Sequence, residues 1–140
     1  MGYMNHLINE RRLGEKVYVD SCGLTASFLG SAPDQRMKQV GKQKGILFDH
    51  QAKVFESTFF ETFDAIFGVT KDINTHLQSL AYTNEARAKI HLATDFSQKY
   101  KGDDIPDPYY LGDQGFEKIW EMIEDSCLGI YDHFIENLKQ

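Results

Sequence analysis

The sequence predicts an α/β fold built on a parallel sheet, and three observations carry that prediction. Short apolar runs at Val17-Tyr18-Val19, Ala65-Ile66-Phe67-Gly68-Val69 and Ile90-His91-Leu92-Ala93 alternate with helical stretches. The second run is continuous rather than alternating, the pattern of a strand covered on both faces. Near the C-terminus, Phe116, Ile119, Trp120, Ile123, Cys127, Ile130, Phe134 and Leu138 step by three or four residues, as one face of a long helix does. Right-handed crossovers join such parallel strands, and ligands bind at the strands' carboxyl ends.

Each element can be justified in order. Met4, Leu7 and Ile8 recur at helical spacing with no cap before them, and Gly14 is placed to stop that helix. Val17-Tyr18-Val19 reads as a short strand closed by Asp20-Ser21-Cys22-Gly23. Residues 24–33 read as loop, and Asp34 caps a polar helix over 34–44 that ends at Gly45. Ile46-Leu47-Phe48 returns to the core, Asp49-His50-Gln51 turns, and a short helical piece comes next around Phe59, Phe60 and Phe63. After the Ala65 run, Thr70 caps a helix that carries Ile73, Leu77 and Leu80 on one face. Residues 95–114 read as a long polar loop with Pro106 and Pro108, of a length that is often functional.

Composition narrows the class. The 140 residues carry 15 Lys and Arg against 21 Asp and Glu, a net charge of −6. An acidic balance argues against a general nucleic-acid binder, which needs clustered cations for phosphate. No apolar run approaches the ~20 residues of a membrane span. The opening residues form no signal peptide, and His6 stands where a myristoylation signal has Ser or Thr. Cys22 and Cys127 make neither a disulfide framework nor a CxxC metal pair, which suits a reducing, cytoplasmic compartment. No cofactor or metal is expected. The length suits one domain over residues 1–140.

The most distinctive local string is Ile105-Pro106-Asp107-Pro108-Tyr109-Tyr110. The prolines bias Ile105 and Asp107 toward extended backbone and stiffen the loop. Two readings stay open on spacing alone. One is a proline-rich surface turn with two tyrosines packed on the core. The other is a carboxyl held beside aromatic rings, desolvated enough to act as a general acid.

That string stands in a longer series. Val19-Asp20-Ser21-Cys22-Gly23, Asp34-Gln35-Arg36, Gly45-Ile46 to His50-Gln51-Ala52, Phe63-Asp64-Ala65-Ile66, Ala86-Arg87-Ala88-Lys89-Ile90 and the Asp-Pro-Tyr-Tyr string come in order before Gly115-Phe116-Glu117. Together they resemble the low-molecular-weight protein tyrosine phosphatases from about Asn5 onward. The resemblance implies a three-layer parallel sheet, hydrolysis of phosphotyrosine through a cysteinyl-phosphate, and phosphotyrosine proteins or small aryl phosphates as partners. It implies Asp107 as the general acid, Tyr109 and Tyr110 as a wall of the substrate cleft, and Ser21 and His50 as supports of the phosphate loop. Without the resemblance, Ser21 reads as a strand-end cap and His50 as a turn histidine.

The sequence also departs from the pattern. The family's nucleophile lies in a Cys-x5-Arg-Ser loop between the first strand and first helix. Six residues after Cys22 stands Phe28, and six after Cys127 stands His133, so neither cysteine opens that motif. The resemblance begins partway through the helix after the loop, so the central first strand is expected to be missing and the domain N-terminally truncated. Buried unpaired backbone groups cost about 1–3 kcal/mol each against a total stability of about 5–15 kcal/mol. The expectation is a chain with no phosphatase activity and low stability. The family's substrate wall often carries a Trp two to three residues before Gly30; Ser27 and Phe28 stand there, and Phe28 is the candidate to take its place. Val69-Thr70 replaces a Met-Asp, which removes one supporting acidic contact. Two alternatives remain: a non-catalytic phosphatase-like binding module, and an arsenate reductase. The second needs resolving cysteines, and none lies between Gly68 and Tyr110.

Overall fold

The computed structural model describes residues 2–10, 17–23, 53–106 and 113–135. The elements in chain order are α1 (Gly2–Glu10), α2 (Phe59–Thr62), β1 (Ile66–Gly68), α3 (Lys71–Leu80), α4 (Asn84–Ala88), β2 (Ile90–Leu92), a 3₁₀ turn (Ala93–Phe96) and α5 (Asp113–Ile130). A π-helical turn, Tyr131–Ile135, continues α5. The chain divides into two compact units, Met1–Phe55 with Phe134–Gln140, and Glu56–His133.

In the first unit the helical spacing holds. Met4, Leu7 and Ile8 of α1 are all buried. The expected strand at Val17-Tyr18-Val19 is not one: the segment joins no ladder among the described residues. A strand exists only with a hydrogen-bonding neighbour, and the pairing described here lies further on. It is a single parallel bridge between Gly23 and Val54. Its hydrogen bonds run from Gly23 N–H to Lys53 C=O and from Phe55 N–H to Gly23 C=O, each 2.7 Å. The expected helix over 34–44, the return at Ile46-Leu47-Phe48 and the turn at His50 lie outside the described residues.

The second unit is built on a parallel β1–β2 ladder that pairs Ile66 with Ile90, Phe67 with His91 and Gly68 with Leu92. β1 is shorter than the apolar run, and Val69 is 42% exposed rather than covered on both faces. α3 begins where Thr70 Oγ1 accepts from the Ile73 amide, so the predicted cap is real. Leu77 is its buried residue. Helix α4 repeats the device, with Thr83 Oγ1 accepting from Ala86 N–H.

Residues 95–106 are not the open polar loop the sequence suggests. Thr94, Ser97, Tyr100 and Ile105 are buried. Tyr100 and Ile105 join Ala93, Ile119 and Met122 in one apolar cluster, with Phe67 and Ile123 packed on it. Along α5 the buried face includes Ile119, Trp120, Met122, Ser126 and Ile130. A β-carbon on Gly129 would lie 1.7 Å from the Phe96 carbonyl oxygen. Glycine is therefore what lets α5 sit on the 3₁₀ turn.

Candidate functional site

Among the described residues, the first unit holds one of those singled out from sequence. Ser21 is half-buried, and its amide donates to Asp20 Oδ1 at 2.9 Å. The centre of this cluster is Asp20 rather than Ser21. Lys53 Nζ donates to Asp20 Oδ2 at 2.6 Å, and the Tyr18 hydroxyl donates to the same oxygen at 3.2 Å. Partial burial works against an ionised Asp20, but the Lys53 and Ser21 hydrogen bonds outweigh it and hold the carboxyl below its ordinary value. Its charge reaches the next residue but one. Cys22 is exposed as a whole, yet burial of its thiol and then the Asp20 carboxylate raise its pKa.

Cys127 is less reactive still. Burial pushes its thiol up to about 11. A nucleophilic cysteine needs the opposite environment, cationic and rich in N–H donors. Both thiols are free and both stay protonated near neutrality.

The second unit builds the carboxyl end of β1. There Val69 and Thr70 lead into α3, and the 100–106 segment closes on them. Ile105 N–H donates to Val69 C=O at 2.8 Å, and Asp104 Oδ1 accepts from the Lys71 amide at 2.9 Å. Thr70 supplies no carboxylate at this turn; Asp104 brings one from 33 residues away. The segment is held from behind as well. Thr94 Oγ1 donates to Asp103 C=O, and Asp103 N–H donates to Tyr100 C=O at 3.0 Å. Gly102 has φ +84°, the left-handed value a turn of this kind needs at its third residue.

Asp125 of α5 anchors the start of the segment. It accepts from Ser97 Oγ and from the Lys99 amide, and the Ser97 bond first of all holds its carboxyl below the ordinary value. Lys99 Nζ pairs with Glu121. The Tyr100 phenol is raised, chiefly by its hydrogen bond to Glu121.

Asp107, Tyr109, Tyr110, Phe28 and His50 lie outside the described residues. Lys53 and Asp104 are polar positions that local pattern does not single out, whereas Asp20 is marked as part of a strand end but without its partner. The only sequence signal for them is charge near a strand end, which many surface residues share. Among the described residues, no group of three or more His, Cys, Asp or Glu is placed to hold a metal ion. No described helix is long and apolar enough to cross a membrane.

Comparison with known proteins points the same way. A sequence model of the family described as low molecular weight phosphotyrosine protein phosphatase matches residues 2–140. The low molecular weight protein-tyrosine-phosphatase of Streptomyces coelicolor is 31% identical over 125 residues, 88% of this chain and 76% of that protein. A protein tyrosine phosphatase from Entamoeba histolytica, crystallised with Hepes in its active site, superposes with a TM-score of 0.89 at 31% identity. That likeness covers 99% of this chain and 88% of the other. A Drosophila arginine phosphatase superposes with a TM-score of 0.87 at 29% identity, over 97% of this chain and 88% of its own. These likenesses agree with an α/β fold around a small parallel sheet.

Proposed function

Because the chain belongs to the low molecular weight phosphotyrosine protein phosphatase family, we propose that it carries the acid and substrate-cleft part of a phosphotyrosine-hydrolysing site. The observation that carries this reading is the family match over residues 2–140, a span that includes the Asp107-Pro108-Tyr109-Tyr110 string. Residues 1–140 act as one domain in it, in the cytoplasm, where two free cysteines remain reduced.

The chemistry assigns the residues. A cysteine thiolate attacks phosphorus, and the bond from phosphorus to the tyrosyl oxygen breaks. Asp107 gives its proton to that oxygen, whose phenol has a pKa of about 10 and leaves poorly as an anion. Such help is worth roughly 10²–10⁴ in rate. Water then attacks the cysteinyl-phosphate while the Asp107 carboxylate takes its proton, and inorganic phosphate departs. Tyr109, Tyr110 and Phe28 would flank the phenol ring. Ser21 and His50 would hydrogen-bond the phosphate loop.

No cysteine of the 140 residues stands six before an arginine followed by serine. Cys22 and Cys127 are both held as thiols. The 140-residue polypeptide alone therefore supplies no nucleophile in this reading. A non-catalytic binding module is the second reading.

Complementation separates the two. A strand and a Cys-x5-Arg-Ser loop are joined ahead of Met1, and hydrolysis of a phosphotyrosine peptide is measured beside a phosphoarginine peptide. The proposal predicts turnover of phosphotyrosine, with Asp107→Asn lowering kcat by roughly 10²–10⁴ and leaving KM nearly unchanged. A folded, complemented protein with no turnover supports the binding module. Preference for phosphoarginine assigns it the substrate of its Drosophila neighbour.

A further inference from the structure

We propose that Asp104 is a positioning residue: its carboxylate clasps the 103–105 segment to the end of β1 and so fixes the point from which the acid-bearing string departs. The assignment rests on reading Asp107 as the acid. The geometry is specific. α3 already has its N-cap, because Thr70 Oγ1 accepts from Ile73 N–H. The Lys71 amide, one of the first-turn donors a helix leaves unpaired, is taken instead by Asp104 Oδ1 at 2.9 Å. The next residue, Ile105, donates its own amide to Val69 C=O at 2.8 Å and buries its side chain. Two consecutive residues of one segment thus grip two residues that flank Thr70.

The grip matters because Asp107 lies only two residues beyond Ile105. Pro106 fixes its own φ and biases Ile105 toward extended backbone, so the clasp and Pro106 together restrict the direction in which the described segment ends. A misplacement of about 1 Å in a reacting group costs on the order of 10²-fold in rate. A carboxylate on a helix-terminal amide makes a stronger clasp than a neutral acceptor, because the donor end of the helix favours negative charge.

Amide hydrogen exchange by NMR tests this on the 140-residue protein, in wild type, Asp104→Ala and Asp104→Asn. In Asp104→Ala, the Lys71 and Ile105 amides should both exchange about tenfold faster or more, while the Trp120 amide in α5 stays unchanged. Asp104→Asn keeps an acceptor oxygen in place and should restore most of the protection. Faster exchange at Lys71 with Ile105 unchanged overturns the clasp, as does an Asn variant no better protected than Ala. In the complemented enzyme, Asp104→Ala should lower kcat with little change in KM, and should lower it no further once Asp107→Asn is present. The exchange arm needs no catalysis, so failure of the phosphatase reading leaves it intact. An active enzyme with unchanged Ile105 exchange sinks the clasp alone.

Discussion

Around residues 17–23 of the first unit and along the β1–β2 ladder of the second, the described residues are tied by different kinds of interaction. In the first, the described ties around residues 17–23 include one parallel bridge and an Asp20–Lys53 pair whose lysine is half exposed. In the second, the ties include a parallel ladder, two threonine caps and a buried apolar cluster on which Phe67 of the ladder packs. Exposed ion pairs contribute little because water already solvates both charges. Burial and ladder pairing reinforce one another, so a change in the second unit reaches further than one in the first.

The largest effect is expected at Trp120, which is 1% exposed. Trp120→Ala should cost about 3–5 kcal/mol, a large share of a total of about 5–15 kcal/mol, and should lower the urea midpoint accordingly. Gly129→Ala comes next. Alanine favours a helix, but its β-carbon would meet the Phe96 carbonyl at 1.7 Å, and backbone yields poorly. Overpacking of about 1–3 kcal/mol should outweigh the propensity gain and lower Tm by several degrees.

Acid should weaken the second unit through His91. Its ring lies 5.5 Å from Phe67 and 5.6 Å from Phe96, centroid to centroid. Burial depresses its pKa below 6.5 against the pull of Asp95, and His133 depresses it further. A histidine with a lowered folded value resists protonation that the unfolded chain accepts. Its contribution is intact above pH 6.5 and is lost as pH falls from there through the folded value. Denaturant midpoints measured against pH should show that slope, and His91→Phe should flatten it. A slope unchanged in the variant would assign the acid sensitivity elsewhere.

The smallest effects sharpen the contrast. Ser126 is 2% exposed, and its hydroxyl has no hydrogen-bond partner among the described residues. Ser126→Ala should be neutral or stabilising by up to about 1 kcal/mol, because an unpaired buried hydroxyl only costs. Lys53→Ala should leave Tm unchanged within error. A fall as large as that of Gly129→Ala would show that the first unit leans on its ion pair after all.

Legibility in the sequence depends on the range of each interaction. Thr70 was legible because a cap and its amide lie three residues apart. The C-terminal helix was legible by its period, yet Met122 and Ser126 joined the buried face unannounced. Helix α4, Asn84–Ala88, is too short to show a period, although Thr83 caps it as Thr70 caps α3. Val17-Tyr18-Val19 has the composition of a strand, but strand formation depends on a neighbour that composition cannot supply. The polar stretch after residue 95 hid its buried contacts because they run to distant residues, Ser97 to Asp125 and Asp104 to Lys71. Asp20–Lys53 escaped for the same reason, at a separation of 33 residues. The proposed acid was marked by its own prolines and tyrosines, a signal confined to six consecutive residues.

In the proposed reading, these 140 residues hold an acid without a nucleophile. Its most direct test is the release of inorganic phosphate from a phosphotyrosine peptide by the 140-residue polypeptide, beside its Cys22→Ser and Cys127→Ser variants. The account predicts no turnover above the uncatalysed rate in any of the three. Turnover in the parent that either serine substitution abolishes would contradict it, and would name the nucleophile.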